Sequence, residues 1–329
     1  MQKYSNIKSI TPEAELFLSQ FTDNKDFVEV HTSGSTGTPK LIRLAKSDML
    51  RSAQASCRFF SITEASRLVC PLSAEYIAGK MMIVRAIVSG AELFMEKPSN
   101  QPITQHYGNI DLLPVVPSQL AHLLNSTQNA SSQRNNSFSP TNTIKYVIVG
   151  GGPVPPAMLN AIKNAPFHTF ATYGMTETSS HVALRDLCSD NDFFTALPGI
   201  SFSTDNDNCL KINAKNFTFD GIQTNDVVRL IDATHFSWIG RRDNVIITGG
   251  VKVQIEEIER KISHLFKHDF YVIGIPDDFW GQKVVLYTTE HISIDSLRPF
   301  LSKFELPKEI RILSSLSYTP TGKIRRLIK

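Results

Sequence analysis

The sequence predicts an α/β protein. A large N-terminal lobe carries a mainly parallel sheet flanked by helices, with some antiparallel β, and a small α+β domain follows it. Across the first two-thirds of the 329 residues, short apolar strands alternate with helical stretches, as crossover connections between parallel strands require. Beyond about residue 200 strands follow one another directly, in the manner of an antiparallel sheet. The length allows two domains and at least one large core.

The elements follow in order. "FVEV" is a strand, and "HTSGSTGTPK" (31–40) is the loop after it. "RLVC" leads to the helix "AGKMMIVRAIVSG" and the strand "AELFM". "IDLLPVV" leads to the helix "PSQLAHLLNS", and "KYVIVG" to the helix "PPAMLNAIKNA" and the strand "FHTFATYG". Residues 125–143, rich in Ser and Asn and nearly devoid of apolar side chains, are expected to form a surface loop. "CLKINA", "VVRLID" and "FSWIG" are antiparallel strands. "VIITGGVKVQ" is a hairpin turning at Gly249–Gly250. Ile255, Ile258, Ile262 and Phe266 fall at helical spacing in "IEEIERKISHLF". "FYVIGI" and "KVVLYTTE" are strands, "SIDSLRPFLSKF" a helix and "EIRILS" a last strand. The boundary is expected near "GRRDN", giving domains 1–242 and 243–329.

Composition narrows the function classes. A net charge of +3 is close to balance and speaks against a dedicated nucleic-acid binder. No apolar run is long enough to span a membrane, and the first residues lack the apolar stretch of a secretory signal. Cys57, Cys70, Cys188 and Cys209 are widely spaced and form no CxxC pair, which fits a reducing cytoplasm rather than a disulfide or zinc framework. The oligomeric state is left open.

Several polar stretches sit where strands end, the edge at which open α/β sheets bind ligands. Residues 31–40 alternate hydroxyls with glycines and end in Lys40, a composition suited to wrapping a polyphosphate. The spacing is not that of the common P-loop, because Gly34 and Gly37 stand three apart and Pro39 precedes the lysine. A plain Ser/Gly turn has the same composition. "VGGGPVPP" offers a flat backbone surface on which a purine could stack, or simply a strand-to-helix turn. In "TYGMTETSSH", Tyr173 presents an aromatic face, Thr176 a hydroxyl, and Glu177 a hard oxygen ligand for Mg²⁺. The same stretch also reads as a helix cap. Asp226 before "VVRL" can accept two ribose hydroxyls or end a turn. Arg241 and Asp243 stand at the expected boundary, where a surface charge cluster is the alternative. Lys323 follows a glycine near the C-terminus and can offset charge developing on a carboxylate and a phosphate.

Taken in order, "TSGSTGTPK", "VPSQL", "GGGPVP", "YGMTE", "GRRDNVIITGGVKVQIEEIE", "VIGIPDDFWGQ" and "PTGKIRR" resemble the adenylate-forming superfamily of acyl-CoA synthetases, adenylation domains and luciferases, over nearly the whole chain. The resemblance implies a soluble, cytoplasmic ligase using ATP, Mg²⁺ and coenzyme A. Such an enzyme joins a carboxylic acid to AMP and then to a thiol. It assigns Thr32, Ser33, Gly34, Ser35, Thr36, Gly37 and Lys40 to the phosphate loop. Gly151, Gly152, Pro153 and Tyr173 fall to adenine, and Asp226 and Arg241 to ribose. Thr176, Glu177 and Lys323 become catalytic residues, Glu177 also the metal ligand. Asp243 becomes the hinge on which a mobile C-terminal domain swings. Within the superfamily, "CPLSAEYIAGKMMIVRAI" and "VVPSQL" look most like the o-succinylbenzoate–CoA ligases of menaquinone synthesis. Tyr76, Lys80 and Arg85 then line the acyl pocket, with Lys80 or Arg85 holding the unreacted carboxylate. For those two residues a charge on a helix surface is the alternative. The sequence departs from the family pattern in three places. Asn225 stands where Gly is usual, "PLSAEY" replaces the usual "PLFH", and the phosphate loop begins at residue 32, as though an N-terminal subdomain were missing. An aryl-acid enzyme loading a carrier protein and an inactive nucleotide-binding relative are the competing readings.

Overall fold

The computed structural model describes residues 4–31, 40–132, 142–318 and 324–326. Its contacts divide into two compact units. One is Met1–Val154, Met158–Ser201 and Asn213–Gly221; the other is Pro155–Ala157, Phe202–Ile212 and Ile222–Lys329.

The first unit begins with β1 (Ile7–Lys8), α1 (Pro12–Thr22), the hairpin β2 (Phe27–His31) and β3 (Leu41–Ala45), and α2 (Lys46–Phe60). Next come β4 (Arg67–Cys70), α3 (Ile77–Ser89), β5 (Glu92–Met95), β6 (Asn109–Val115) and α4 (Pro117–Ser132). It continues through β7 (Thr143–Val149), α5 (Leu159–Lys163), β8 (His168–Met175), β9 (Ser180–Asp186) and β10 (Phe194–Ala196). The sheet order is β1-β5-β4-β6-β7-β8-β9-β10. Pairing is parallel from β1 to β8 and antiparallel at β8–β9 and β9–β10. The alternation of strands and helices thus produced the expected parallel sheet. α2 was not anticipated. Its buried face (Met49, Ala53, Ser56, Cys57, Phe60) packs on α3.

α3 removes one alternative. Every residue from Gly79 to Ala86 is buried, so Lys80 and Arg85 are interior cations rather than helix-surface charges. A helix apolar all round has no solvent face. α4 corrects an expectation: it runs to Ser132, so the first part of the expected 125–143 loop is helix, and 133–141 lie outside the described residues.

In the second unit β11 (Ser201–Thr204), β12 (Cys209–Asn213), β13 (Ile222–Asp232) and β14 (His235–Arg241) lie side by side. β15 (Val245–Thr248) and β16 (Val251–Gln254) form the expected hairpin, with Gly249 and Gly250 at φ 56° and 77°. α6 (Ile255–Ile262), β17 (Phe270–Asp277), β18 (Gly281–Thr288), α7 (Ile294–Leu297) and β19 (Glu309–Ile312) complete it. The sheet order is β16-β15-β18-β17, with β19 parallel beside β18. α7 is far shorter than "SIDSLRPFLSKF" suggested. Pro299 would clash with the Asp295 carbonyl in a continuing helix, yet Leu297 and Leu301 still enter the core. Among the described residues no helix is long and apolar enough to cross a membrane.

Candidate active site

The parallel registers Val115↔Val149 and Val149↔Ala171 bring the carboxyl ends of β6 and β7 level with Ala171, beyond which β8 runs four residues further, to Met175, paired with β9. Val116–Pro117 and Gly150–Pro153 emerge from β6 and β7, whereas Tyr173 lies inside β8 rather than past its end as expected, and only Thr176 and Glu177 follow that strand. Gly150–Pro153 touches its neighbours on both sides. A Cβ at Gly150 would stand 2.5 Å from Thr172 Oγ1, so glycine leaves room for this hydroxyl, which donates to the Val149 carbonyl at 3.2 Å. The Cβ positions of Gly151 and Gly152 lie 3.5 and 3.7 Å from Val116 and Pro117. Buried Gln119 ties the edge together. It accepts from Val116 N (3.1 Å) and donates to the carbonyls of Ser99 (2.8 Å) and Pro71 (3.4 Å). Tyr173 is half-buried, its ring 5.7 Å from that of Phe194.

Thr176–Thr178 form a single 3-10 turn after β8. Thr178, not Thr176, makes the cap: its hydroxyl accepts from Met175 N at 3.0 Å. That leaves the half-buried Thr176 hydroxyl and Glu177 carboxylate without a hydrogen bond among the described residues. Directly behind them Ser179 and Ser180 have φ of 57° and 124°, and the buried Ser179 hydroxyl has no described partner. Backbone strain of this kind clusters at functional sites. A half-buried carboxylate with no described partner is a fitting donor for a hard cation such as Mg²⁺.

Asp226, Arg241 and Asp243 fall together in the second unit. Asp226 and Arg241 are register partners across β13–β14. The guanidinium of Arg241 lies 3.6 Å from Asp226 Oδ1 and 3.2 Å from Asp243 Oδ2, and Trp238 Nε1 donates to Asp226 at 3.3 Å. Asn225 lies inside β13 and is absent from the positive-φ residues. Its side chain donates to Asp243 (3.2 Å) and accepts from Arg242 (2.8 Å). Lys40 is exposed just before β3. Thr32, Ser33, Gly34, Ser35, Thr36, Gly37 and Lys323 lie outside the described residues.

The acyl-pocket candidates separate. Tyr76 is exposed at the start of α3. Lys80 donates to the carbonyls of Ala74 (2.5 Å) and Glu75 (2.8 Å). Arg85, 1% exposed, has no carboxylate partner among the described residues, and its Nε has no hydrogen bond there. Its Nη2 donates to Ser56 Oγ (3.3 Å) and faces His181 Nδ1 (3.4 Å), while His181 Nε2 meets Ser56 Oγ at 2.9 Å. Burial pushes the guanidinium down to about 10. Burial, with Arg85 beside it, holds His181 well below the usual histidine range. Neutral His181 therefore accepts at Nδ1 and donates from Nε2. Sequence reasoning missed Ser56 and His181. The available signal for His181 was its place four residues after Glu177.

A family model described as AMP-binding enzyme matches residues 22–201. A 2-succinylbenzoate–CoA ligase of Listeria monocytogenes is 27% identical, over 98% of this chain and 73% of its own length. A crystal structure described as an acyl-CoA synthetase (AMP-forming)/AMP-acid ligase II-like protein, from Dyadobacter fermentans, is 32% identical. It has a TM-score of 0.62 and covers 95% of this chain and 91% of its own. The o-succinylbenzoate coenzyme A synthetase of Bacillus subtilis, in complex with ATP and magnesium ion, shares the fold at a TM-score of 0.72 and 21% identity, over 90% of this chain and 68% of its own.

Proposed function

We propose, from the premise that the chain belongs to the AMP-binding enzyme family, that it is an AMP-forming acid–thiol ligase using ATP, Mg²⁺ and coenzyme A, with o-succinylbenzoate as the acid. The observation that carries this reading is the close approach of Gly150 to Thr172, which sets the glycine turn after β7 beside the part of β8 that leads to Thr176 and to Glu177, whose carboxylate has no described partner. Gly151, Gly152, Pro153 and Tyr173 receive adenine, and Asp226 and Arg241 the ribose. The loop from Thr32 to Lys40 takes the outer phosphates.

A carboxylate oxygen attacks the α-phosphorus, and the bond to the β-phosphate oxygen breaks, releasing pyrophosphate. Two anions must meet for this. The Thr176 hydroxyl and the Lys323 ammonium offset the repulsion. Glu177 would hold Mg²⁺, which when bound neutralises phosphate charge. The thiol sulfur then attacks the acyl carbon, AMP leaves with the bonding electrons, and the thiol proton goes to solvent. Cys57, Cys70 and Cys209 are buried, in keeping with an external thiol. In the first step Lys323 acts from the C-terminal domain, which pivots at Asp243 between the two steps.

The acid is argued from Arg85. A cation this buried costs several kcal/mol unless paired, and the second carboxylate of o-succinylbenzoate would pair it. The names of the curated relatives support the same choice. Incubation with ATP, Mg²⁺, coenzyme A and o-succinylbenzoate is expected to yield the thioester and AMP. Faster turnover of fatty or amino acids would reject the substrate, and transfer to a pantetheinylated carrier protein instead of coenzyme A would reject the acceptor. ATP–pyrophosphate exchange is expected to fall by about two orders of magnitude or more in Lys323→Ala.

A further inference from the structure

Close to the C-terminus, Arg326 grips Glu259 with both prongs of its guanidinium. Nη1 lies 2.5 Å from Oε1 and Nη2 2.9 Å from Oε2. The same Nη1 donates to the Val272 carbonyl at 3.0 Å, and Glu259 Oε1 accepts from Val272 N at 2.7 Å. The fork therefore closes a ring through α6, the first residues of β17 and the C-terminal segment. Side-chain exposure is 30% for Arg326 and 19% for Glu259, more sheltered than most surface pairs. The neighbouring backbone is held as well. Ile324 bridges antiparallel to Tyr318, and Arg325 N donates to Ser317 O at 2.8 Å. Ile324 also packs on the cluster of Tyr271, Ile273, Val285 and Tyr287. Tyr318 in turn donates to Asp269 at 2.9 Å.

Lys323 directly precedes Ile324 in the chain. The described residues that flank it, Tyr318 and Ile324, bridge each other, and the charged fork lies three residues beyond it. We propose that Arg326 is a positioning residue for adenylation: through Glu259 and the Val272 carbonyl it sets the backbone from which Lys323 reaches the reacting carboxylate and phosphate. This rests on the functional reading above. A long ammonium side chain stabilises developing charge only if its base is fixed, since a shift of about 1 Å in a reacting group can cost 100-fold. Arginine suits the task because its planar fork specifies direction as well as charge, which lysine's point charge does not.

The test compares Arg326→Ala, Arg326→Lys and Glu259→Gln in the full chain, with Arg325→Ala, an exposed side chain, as control. ATP–pyrophosphate exchange reads the first half-reaction, and thioester formation from supplied acyl-adenylate and coenzyme A reads the second. Arg326→Ala and Glu259→Gln are expected to lower the exchange kcat by about tenfold or more. The KM for ATP and the second half-reaction should stay within about twofold. In the Lys323→Ala background the same changes should cost nothing further, because they act through that lysine. Arg326→Lys keeps the charge and should show an intermediate loss, so it carries the test if the alanine variant fails to fold. Equal loss in both half-reactions, or an undiminished further loss in the Lys323→Ala background, overturns the proposal while leaving the enzyme's function standing. Absence of exchange in the parent protein overturns the functional reading and this proposal with it.

Discussion

Arg85, Ser56 and His181 form a buried polar group whose electrostatics give two predictions. His181 is held neutral in the folded chain by burial and by Arg85, while an unfolded histidine takes up a proton below about pH 6.5. Its folded pKa is depressed, so the unfolded state binds more protons there, and stability falls as pH drops below that point. The slope reaches at most about 1.4 kcal/mol per pH unit. His181→Gln should flatten the loss between about pH 6.5 and 5 in denaturant titrations; an unchanged slope would mean that the histidine protonates in place. Arg85→Met should raise the KM for o-succinylbenzoate roughly 100-fold yet leave the KM for acids with a single carboxylate nearly unchanged. It should not lower Tm, because a buried charge is exchanged for an apolar side chain of similar length. The cysteines give a third prediction. Burial pushes the Cys70 thiol up to about 12 and raises Cys57 and Cys209 as well. A disulfide reagent should label half-buried Cys188 first in the native protein, and all four after unfolding. Rapid labelling of Cys70 would contradict the packing of β4.

Helix α3 encloses Gly79 through Ala86 without a solvent face, and that enclosure turns two ordinary cations into buried ones. The hint was present in "AGKMMIVRAIVSG", whose apolar residues leave no polar stripe. Two charges in such a run read equally well as snorkelling side chains. The β15–β16 hairpin was the more legible element, because a Gly–Gly pair between alternating apolar residues specifies its own turn. Gly249 does more than turn. It sits at φ 56°, and an added Cβ would come within 3.1–3.2 Å of the rings of Trp280 and Phe304. Gly249→Ala should therefore destabilise the second unit by about 1–2 kcal/mol, combining the left-handed backbone with crowding against two rings. Chemical denaturation of the intact chain measures it. A neutral effect would show that the two rings give way.

Over the whole molecule, the nucleotide candidates come from parts of the chain far apart in sequence. Gly150–Pro153 and Tyr173–Glu177 lie on the first unit, and Asp226, Arg241 and Asp243 on the second. Each group is coherent by itself. Asp243 is tied to Arg241 and to the Asn225 side chain, so the residue that departs from the family's glycine fastens the proposed hinge. If Asp243 is the pivot, Asp243→Pro should retain ATP–pyrophosphate exchange while thioester formation falls about tenfold or more, because only the second step requires the swing. Equal loss of both activities would place the pivot elsewhere.

By itself the sequence determined the strand–helix alternation from β4 to β8, the Gly–Gly hairpin and the place of "GGGP" after β7, but neither α2 nor the run of β8 through "TYGM". The first three are encoded locally, by period and by turn chemistry. Only the tertiary structure decided that Lys80 and Arg85 are interior, that His181 faces Ser56 across 125 residues of chain, and that Arg326 closes on Glu259 across 67. Burial and partner choice depend on which surfaces pack together. A lysine or arginine in an apolar helix looks the same in sequence whether its neighbour is water or another helix.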